Sequence, residues 1–420
     1  MGTADSSAQV AASRAGRWLH VVGPGLLVAA TGVGAGDLAT AAFAGQAVGF
    51  GVLWAVIVGA VLKLVLTEGL ARWQLATGET LLEGAIGRFG RGVGWAFLLY
   101  LAFWSFFVGS ALISAAGVAL QSLFPLPLGA SWAKASWGVF ASALGWWLAR
   151  SGGFALVERL MSGLVLLMFT TVVGTAAIMA PDIGAFVAGM WPRLGAASPQ
   201  LEWTAALIGG IGGTVTILCY GYWMREEGRR APTELSITRI DLTVGYTVTA
   251  VFGLAMVIVG NRVAAGGSGA QLLVSIADEL ALRLGSIGRW AFLVGAAGAI
   301  CSSLLGVWQA VPYLFADVWR MLTRPTEASP QAALSSKAYA FYAAALAVVP
   351  CLGLVVEFRA LQKLYALVGV AFMPLLAVSL LVLNGRRKWV GSLRNGPLNT
   401  VALALTLAFF VAMAWRRWVG

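Results

Sequence analysis

Charge is scarce in this chain. Only 11% of its 420 residues are charged, against roughly 25% in an ordinary soluble domain, and only 17 are acidic. That composition excludes a soluble enzyme. One histidine is present, His20, ahead of the first long apolar run. No histidine proton relay or histidine metal site can therefore lie inside the apolar runs. The three cysteines, Cys219, Cys301 and Cys351, sit within apolar stretches and show no C-x-x-C spacing, so neither a disulfide framework nor a thiolate metal site is expected. The 28 basic residues leave a net charge of +11, but they form no patch interleaved with aromatics, and nucleic acid is not the expected partner.

Apolar residues, in contrast, make up 60% of the chain, with a mean hydropathy of +0.85, 53 Gly and 18 Trp. The apolar runs continue for about twenty residues, the length that crosses a bilayer at 1.5 Å per residue. A transmembrane β-barrel needs segments of about ten with period-2 alternation. The runs lie near 22–47, 48–71, 94–122, 133–149, 157–180, 203–223, 243–261, 290–319, 338–356, 361–383 and 398–415. The expected fold is an all-α polytopic membrane protein with about eleven transmembrane helices in a lipid bilayer. Residues 1–21 read as a cytoplasmic N-terminal tail, because the run that follows is long, Gly-interrupted and lacks a small-residue cleavage site. An odd number of spans puts the termini on opposite sides. With the N-terminus inside, the inside segments carry about twice as many Lys and Arg as the outside ones, which places the N-terminus in the cytoplasm and the C-terminus outside.

Spans one and six share a feature that the others lack: clustered Gly with embedded polar residues, VAATGVGAGDLAT at 28–40 and LIGGIGGTVTILCYGY at 207–222. They are corresponding members of two five-helix halves, 22–180 and 203–384, within a transporter core over 22–384. A basic loop and an eleventh helix over 385–420 complete the chain. Gly-interrupted spans at matching places in two halves point to an inverted-repeat transporter whose binding site lies between two broken helices.

Asp37 lies near the bilayer centre, where an unpaired carboxylate costs at least about 2.5–3.5 kcal/mol. It either pairs with Lys63 or caps a half-helix, or it is a cation ligand; Gly32, Gly34 and Gly36 before it allow the backbone to unwind and offer carbonyl oxygens. The glycines of span six, Gly209, Gly210, Gly212 and Gly213, serve either close helix packing or a second break. Thr214 and Thr216 after them supply hydroxyl oxygens suited to a hard cation. Gln309 in span eight is either a helix-to-helix hydrogen bond or a ligand. Lys63 and Glu68 on span two are expected to snorkel or to pair with neighbours. Asp278, Glu279, Glu357 and the 225–241 cluster are expected to be solvated loop charges. No H-E-x-x-H, paired catalytic carboxylates or Ser/His arrangement lies in any span, so no catalytic residue and no resident cofactor are expected.

The stretches G-P-G-L-L-V at 23–28, A-x-x-A-G-x-x-x-G-F at 41–50, A-R-W-Q-L-A-T-G-E-T-L-L-E at 71–83, G-G-T-V at 212–215 and L-N-G-R-R-K at 383–388 resemble the Nramp family of divalent-metal transporters. The resemblance implies a LeuT-type 5+5 inverted repeat with helices one and six broken. The family's D-P-G-N motif aligns with Gly34-Ala35-Gly36-Asp37, and its M-P-H motif with Thr216-Ile217-Leu218. Sulfur is thus replaced by hydroxyl oxygen, which favours a hard cation such as Mg²⁺. The family's carbonyl ligands fall on Thr31 and Gly213. Its third-helix acidic pair falls on Gly109 and Leu112, and its tenth-helix Gln on Ala366. The pattern looks like that of the divergent Nramp-related magnesium transporters.

These readings converge on an alternating-access transporter or uniporter for a divalent cation, Mg²⁺ before Mn²⁺, without proton coupling. Asp37, the Thr216 hydroxyl and the carbonyls of Thr31 and Gly213 are the expected metal ligands, with Gly34 in the same unwound turn. Thr40, Thr214 and Gln309 are pathway or outer-sphere candidates, and Gly32, Gly36 and Gly212 break the helices. A carrier of a small organic or amino-acid substrate on the same scaffold is the alternative. Half-helix N-termini would then hold a carboxylate while Asp37 held an amine.

Overall fold

The computed structural model describes residues 23–151, 153–179, 182–192, 198–262, 271–323 and 331–419. The tail over 1–21, and His20 with it, lies outside the described residues. Every regular element among them is helical. Eight of the helices are long and apolar enough to cross a membrane, and a ninth candidate is the pair Arg387–Leu393 and Pro397–Met413, bent by 115°. The longest candidate, Asp37–Thr77, contains both the second half of span one and all of span two, joined through a short 3-10 turn at Gly49–Val52. Ala130–Ser151, the expected fourth span, is a continuous helix but is not among the eight.

Local signals in the sequence set the ends of these helices. Span two, Leu53–Thr77, stops at Gly78, whose φ of 74° is open to glycine at little cost and whose N–H closes on the Gln74 carbonyl. Thr80 then caps Leu81–Phe89 by accepting the Glu83 N–H, while the Glu83 carboxylate accepts the Thr80 N–H. After Leu383 the basic loop folds back: Arg72 of span two donates to the Leu393 carbonyl at 3.1 Å and to Asn395 at 2.8 Å.

Span six is the innermost element. In its most apolar window 94% of residues are buried, compared with 44% in the Asp37–Thr77 stretch. The first half of span six, Ser198–Gly210, packs against Thr40–Val48 of span one, span two and span ten, Phe358–Leu383. Span eight, within Gln271–Thr323, packs against spans three and five, Arg91–Leu123 and Gly153–Ile178, and against the break in span one. The apolar side chains left outside, such as Leu99, Leu282 and Ile287, face outwards as those of a lipid-embedded bundle do.

Candidate cation site between the two broken spans

Span one runs as an α-helix over 23–32, widens to a π-turn at Val33–Ala39, and resumes at Thr40–Val48. Gly34 is non-helical there (φ −66°, ψ −118°), and its N–H donates to the Ser303 hydroxyl of span eight at 2.8 Å. Span six breaks after Gly210: Gly212 and Gly213 take φ of 71° and 84°, and the chain re-enters helix through Val215–Leu218 and Cys219–Glu226. The two breaks touch. A Cβ on Gly32 would lie 2.8 Å from both the Gly212 carbonyl carbon and the Gly213 nitrogen, so backbone meets backbone at this point.

Asp37 is fully buried at this contact and accepts the Gly212 N–H with both oxygens, at 3.1 and 3.2 Å. The carboxylate therefore caps the break in span six, the structural role weighed for it from the sequence. Lys63 departs from expectation. It does not snorkel and does not pair with Glu68; it is fully buried, and its ammonium donates to the carbonyls of Gly209 and Ile211, each at 2.9 Å, and to that of Gly213. The reason is that the end of a half-helix leaves carbonyls without partners inside the protein, and a cation at a helix C-terminus satisfies them. Lys63 and Asp37, of opposite charge, thus hold adjacent backbone groups of the same break. Glu68 instead pairs with Arg72 and Arg239, each at 2.7 Å.

The other candidates divide into two groups. Thr31 and Thr216 come together with Ser303 and Tyr365 around a cavity of about 10 Å³, the room of a single water molecule. The Thr31 hydroxyl is buried without a hydrogen-bond partner. The Thr31 carbonyl accepts the Ser303 hydroxyl at 2.7 Å, and the Thr216 hydroxyl lies over Gly213. Thr214 and Thr40 already have side-chain donors, Trp104 at 2.8 Å and Gln362 at 3.3 Å. Gln309 stands apart: it lines a cavity of about 440 Å³ with Arg150 and Glu226 and accepts the Trp223 indole N–H at 3.3 Å.

Sequence reasoning weighed Lys63 only as a snorkelling charge or a partner of Asp37, and it passed over Ser302 and Ser303. Ser302 and Ser303 form a hydroxyl pair inside span eight that bonds the Ala30 carbonyl at 3.1 Å each. The signal for Lys63 was available, since a charge ten residues into an apolar span needs the same explanation as Asp37. The 225–241 charges are also not all solvated. Asp241 is fully buried and holds Arg229, the Tyr220 hydroxyl and the Gly25 N–H, each at 2.8 Å, because the start of span seven packs directly on the start of span one. Arg225 bonds Glu83, and Asp317 holds Arg320 at 2.8 Å and the Tyr222 hydroxyl at 2.7 Å. Asp278 and Glu357 are exposed as expected, but Asp278 and the half-buried Glu279 lie within the helix Gln271–Thr323, not in a loop, and Asp278 pairs with Arg289. All three cysteines are free.

A family model described as "Natural resistance-associated macrophage protein-like" matches residues 25–417. The chain belongs to the Nramp family. An Aeromonas hydrophila protein named "Divalent metal cation transporter MntH" is 23% identical over 416 residues, 94% of each chain. Proteins of the same name from Xanthomonas campestris and Pectobacterium carotovorum are 27% and 25% identical, over 62% and 57% of this chain. Those two matches span 61% and 57% of the relatives' own lengths. A crystal structure of the Eremococcus coleocola manganese transporter superposes with a TM-score of 0.71 at 17% identity, over 94% of this chain and 85% of that one. MhsT, solved in complex with L-phenylalanine, superposes at 0.51 with 16% identity, over 92% of this chain and 98% of its own. These likenesses give the fold: this Nramp-family chain is an integral membrane protein of LeuT type, and its two interrupted spans are that fold's broken helices.

Proposed function

We propose that this protein moves a divalent metal cation by alternating access across a prokaryotic-type cytoplasmic membrane, N-terminus inside and C-terminus outside, with Asp37 as the charged ligand. One observation carries the reading: a fully buried carboxylate sits where the backbones of the two broken spans meet. The named relatives are divalent metal cation transporters, which supports the substrate class. Thr31 and Thr216, beside the two breaks, offer hard oxygen donors around the small cavity, and no group of three or more His, Cys, Asp or Glu that could hold a metal exists among the described residues. A hard-oxygen set with one carboxylate favours Mg²⁺, which keeps several of its waters, and Mn²⁺ second. The cation is cargo, not a resident cofactor. Absence of proton coupling is supported by Gly109, which packs against Pro350, and Leu112, which lines the small cavity; neither can carry a proton.

The test is Mg²⁺ and Mn²⁺ uptake into vesicles loaded with a cation dye and a pH dye, for wild type and Asp37→Asn. Wild type should take up both without internal acidification, and Asp37→Asn should take up neither while melting as a folded protein. Wild-type flux in Asp37→Asn would sink the site assignment. A second reading, transport of a small organic or amino-acid substrate, has one observation in its favour: an acidic and a basic side chain, Asp37 and Lys63, meet at the same break, a pairing that suits a zwitterion better than a dication. Amino-acid uptake with no flux of either cation would select it.

A further inference from the structure

Lys63 is a basic residue buried completely inside an apolar span. It stands mid-way along span two, and it spends all three of its ammonium hydrogens on the carbonyls of Gly209, Ile211 and Gly213. Those oxygens belong to the C-terminal end of the first half of span six, where the aligned peptide dipoles place partial negative charge. Span two is held rigidly behind the ammonium, since Thr67 donates to the Lys63 carbonyl at 2.8 Å and shares a 2.7 Å hydrogen bond with Tyr246. The ring of Tyr246 in turn packs on Gly212. Three converging carbonyls, a helix C-terminus and a nearby carboxylate are together the chemistry of a cation site.

We propose that the broken end of span six is a monovalent-cation site whose resident ion is the Lys63 ammonium. The spacing defines the ligand class. Two of the three oxygens lie 2.9 Å from the nitrogen, a separation that suits ammonium-like ions, whereas Mg²⁺ requires about 2.0–2.1 Å and near-octahedral geometry. The tether makes the ion permanent, so the break holds its charge in every turn of the cycle without drawing a monovalent ion from either side. The Gly213 carbonyl, expected from the sequence as a ligand for the transported ion, belongs to this second site instead. The proposal holds whatever the transported substrate is, so its failure and that of the divalent-cation reading are separable.

Chemical rescue tests it on the purified full chain in detergent, with melting followed by tryptophan fluorescence in N-methylglucamine, ammonium, methylammonium, potassium and magnesium chlorides at equal ionic strength. Wild type should melt at the same temperature in all the monovalent salts. Lys63→Ala should melt lower in N-methylglucamine and recover at least half of the deficit in ammonium or methylammonium, with less recovery in magnesium. Lys63→Gln keeps N–H donors but no charge, and it should stay below wild type in every salt. The proposal is overturned if no monovalent cation rescues Lys63→Ala, including by leaving it unfolded throughout, or if Lys63→Gln is as stable as wild type.

Discussion

Asp241 allows a sharp test of how the fold holds its two broken spans together. Its Oδ1 accepts the Gly25 N–H, and its Oδ2 accepts both the Tyr220 hydroxyl and Arg229, all at 2.8 Å. The carboxylate thus ties the start of span one and the second half of span six to the start of span seven. In Asp241→Asn the amide nitrogen must replace one of the two oxygens. Placed at Oδ1 it faces the Gly25 N–H; placed at Oδ2 it faces Arg229. Either orientation sets donor against donor, and Tyr220 alone can turn its hydroxyl round to accept. No shift relieves this, since a Cβ on Gly25 would already lie 2.4 Å from the Asp241 carbonyl and from Oδ1. A stranded buried donor costs about 1–3 kcal/mol, and breaking a buried ion pair outright about 3–5 kcal/mol. Arg229 keeps other contacts, so the expected loss is about 2–3 kcal/mol. The comparison is Asp278→Asn, which removes the same charge from a pair with Arg289 that is 3.0 Å apart and whose carboxylate is 59% exposed; its expected cost is about 0–1 kcal/mol. Equilibrium unfolding of both variants in mixed micelles measures the difference. Equal losses for the two would refute the reasoning.

Gly32→Ala should destabilise by about 1–3 kcal/mol and abolish uptake, because the added methyl meets backbone that cannot rotate away. Gly87→Ala, in a helix with open space around it, should be neutral or stabilising by up to about 1 kcal/mol in the same unfolding assay. Thr216→Met should raise the ratio of Mn²⁺ to Mg²⁺ uptake in competition assays, since a thioether replaces a hard oxygen beside the small cavity; an unchanged ratio would remove Thr216 from the site.

The broken spans were legible because glycine is a local signal. A string of Gly inside an apolar run has few uses other than close packing or a break, and Gly212 and Gly213 take positive φ that other residues resist. Asp37 was legible for a related reason, the cost of a charge in lipid. The partners of these residues were not, because they are set by which spans touch. Nothing in the sequence around Lys63 or Ser303 names the carbonyls they reach, and the bonds cross 146 to 150 positions in one case and 272 in the other. The same holds for Asp241, which reads as a loop charge beside Arg239 and is buried only because Gly25 leaves room for it. Gln309 makes the helix-to-helix hydrogen bond that was one of its two readings, to Trp223, since a span-eight residue six positions beyond Ser303 is already more than a turn and a half further along the helix.

The two carbonyls first expected to bind the transported ion, those of Thr31 and Gly213, are both held by donors from other spans, but not equally firmly. Ser303 gives Thr31 a neutral hydroxyl hydrogen bond, whose net worth is about 1 kcal/mol. Lys63 gives Gly213 one of three bonds from a buried charge, and freeing that oxygen would strand the ammonium. Under the proposed reading, a cation would displace a weaker bond on the Thr31 side than on the Gly213 side. On the Thr31 side lie the unpartnered Thr31 hydroxyl, the Thr216 hydroxyl and the small cavity between them. Asp37 reaches the break from span one and binds the Gly212 N–H, between the Ile211 and Gly213 carbonyls that Lys63 holds. Span six is thus fixed to span two at the Gly213 side of the break, while the divalent-cation reading proposed above would place ligand exchange on the Thr31 side.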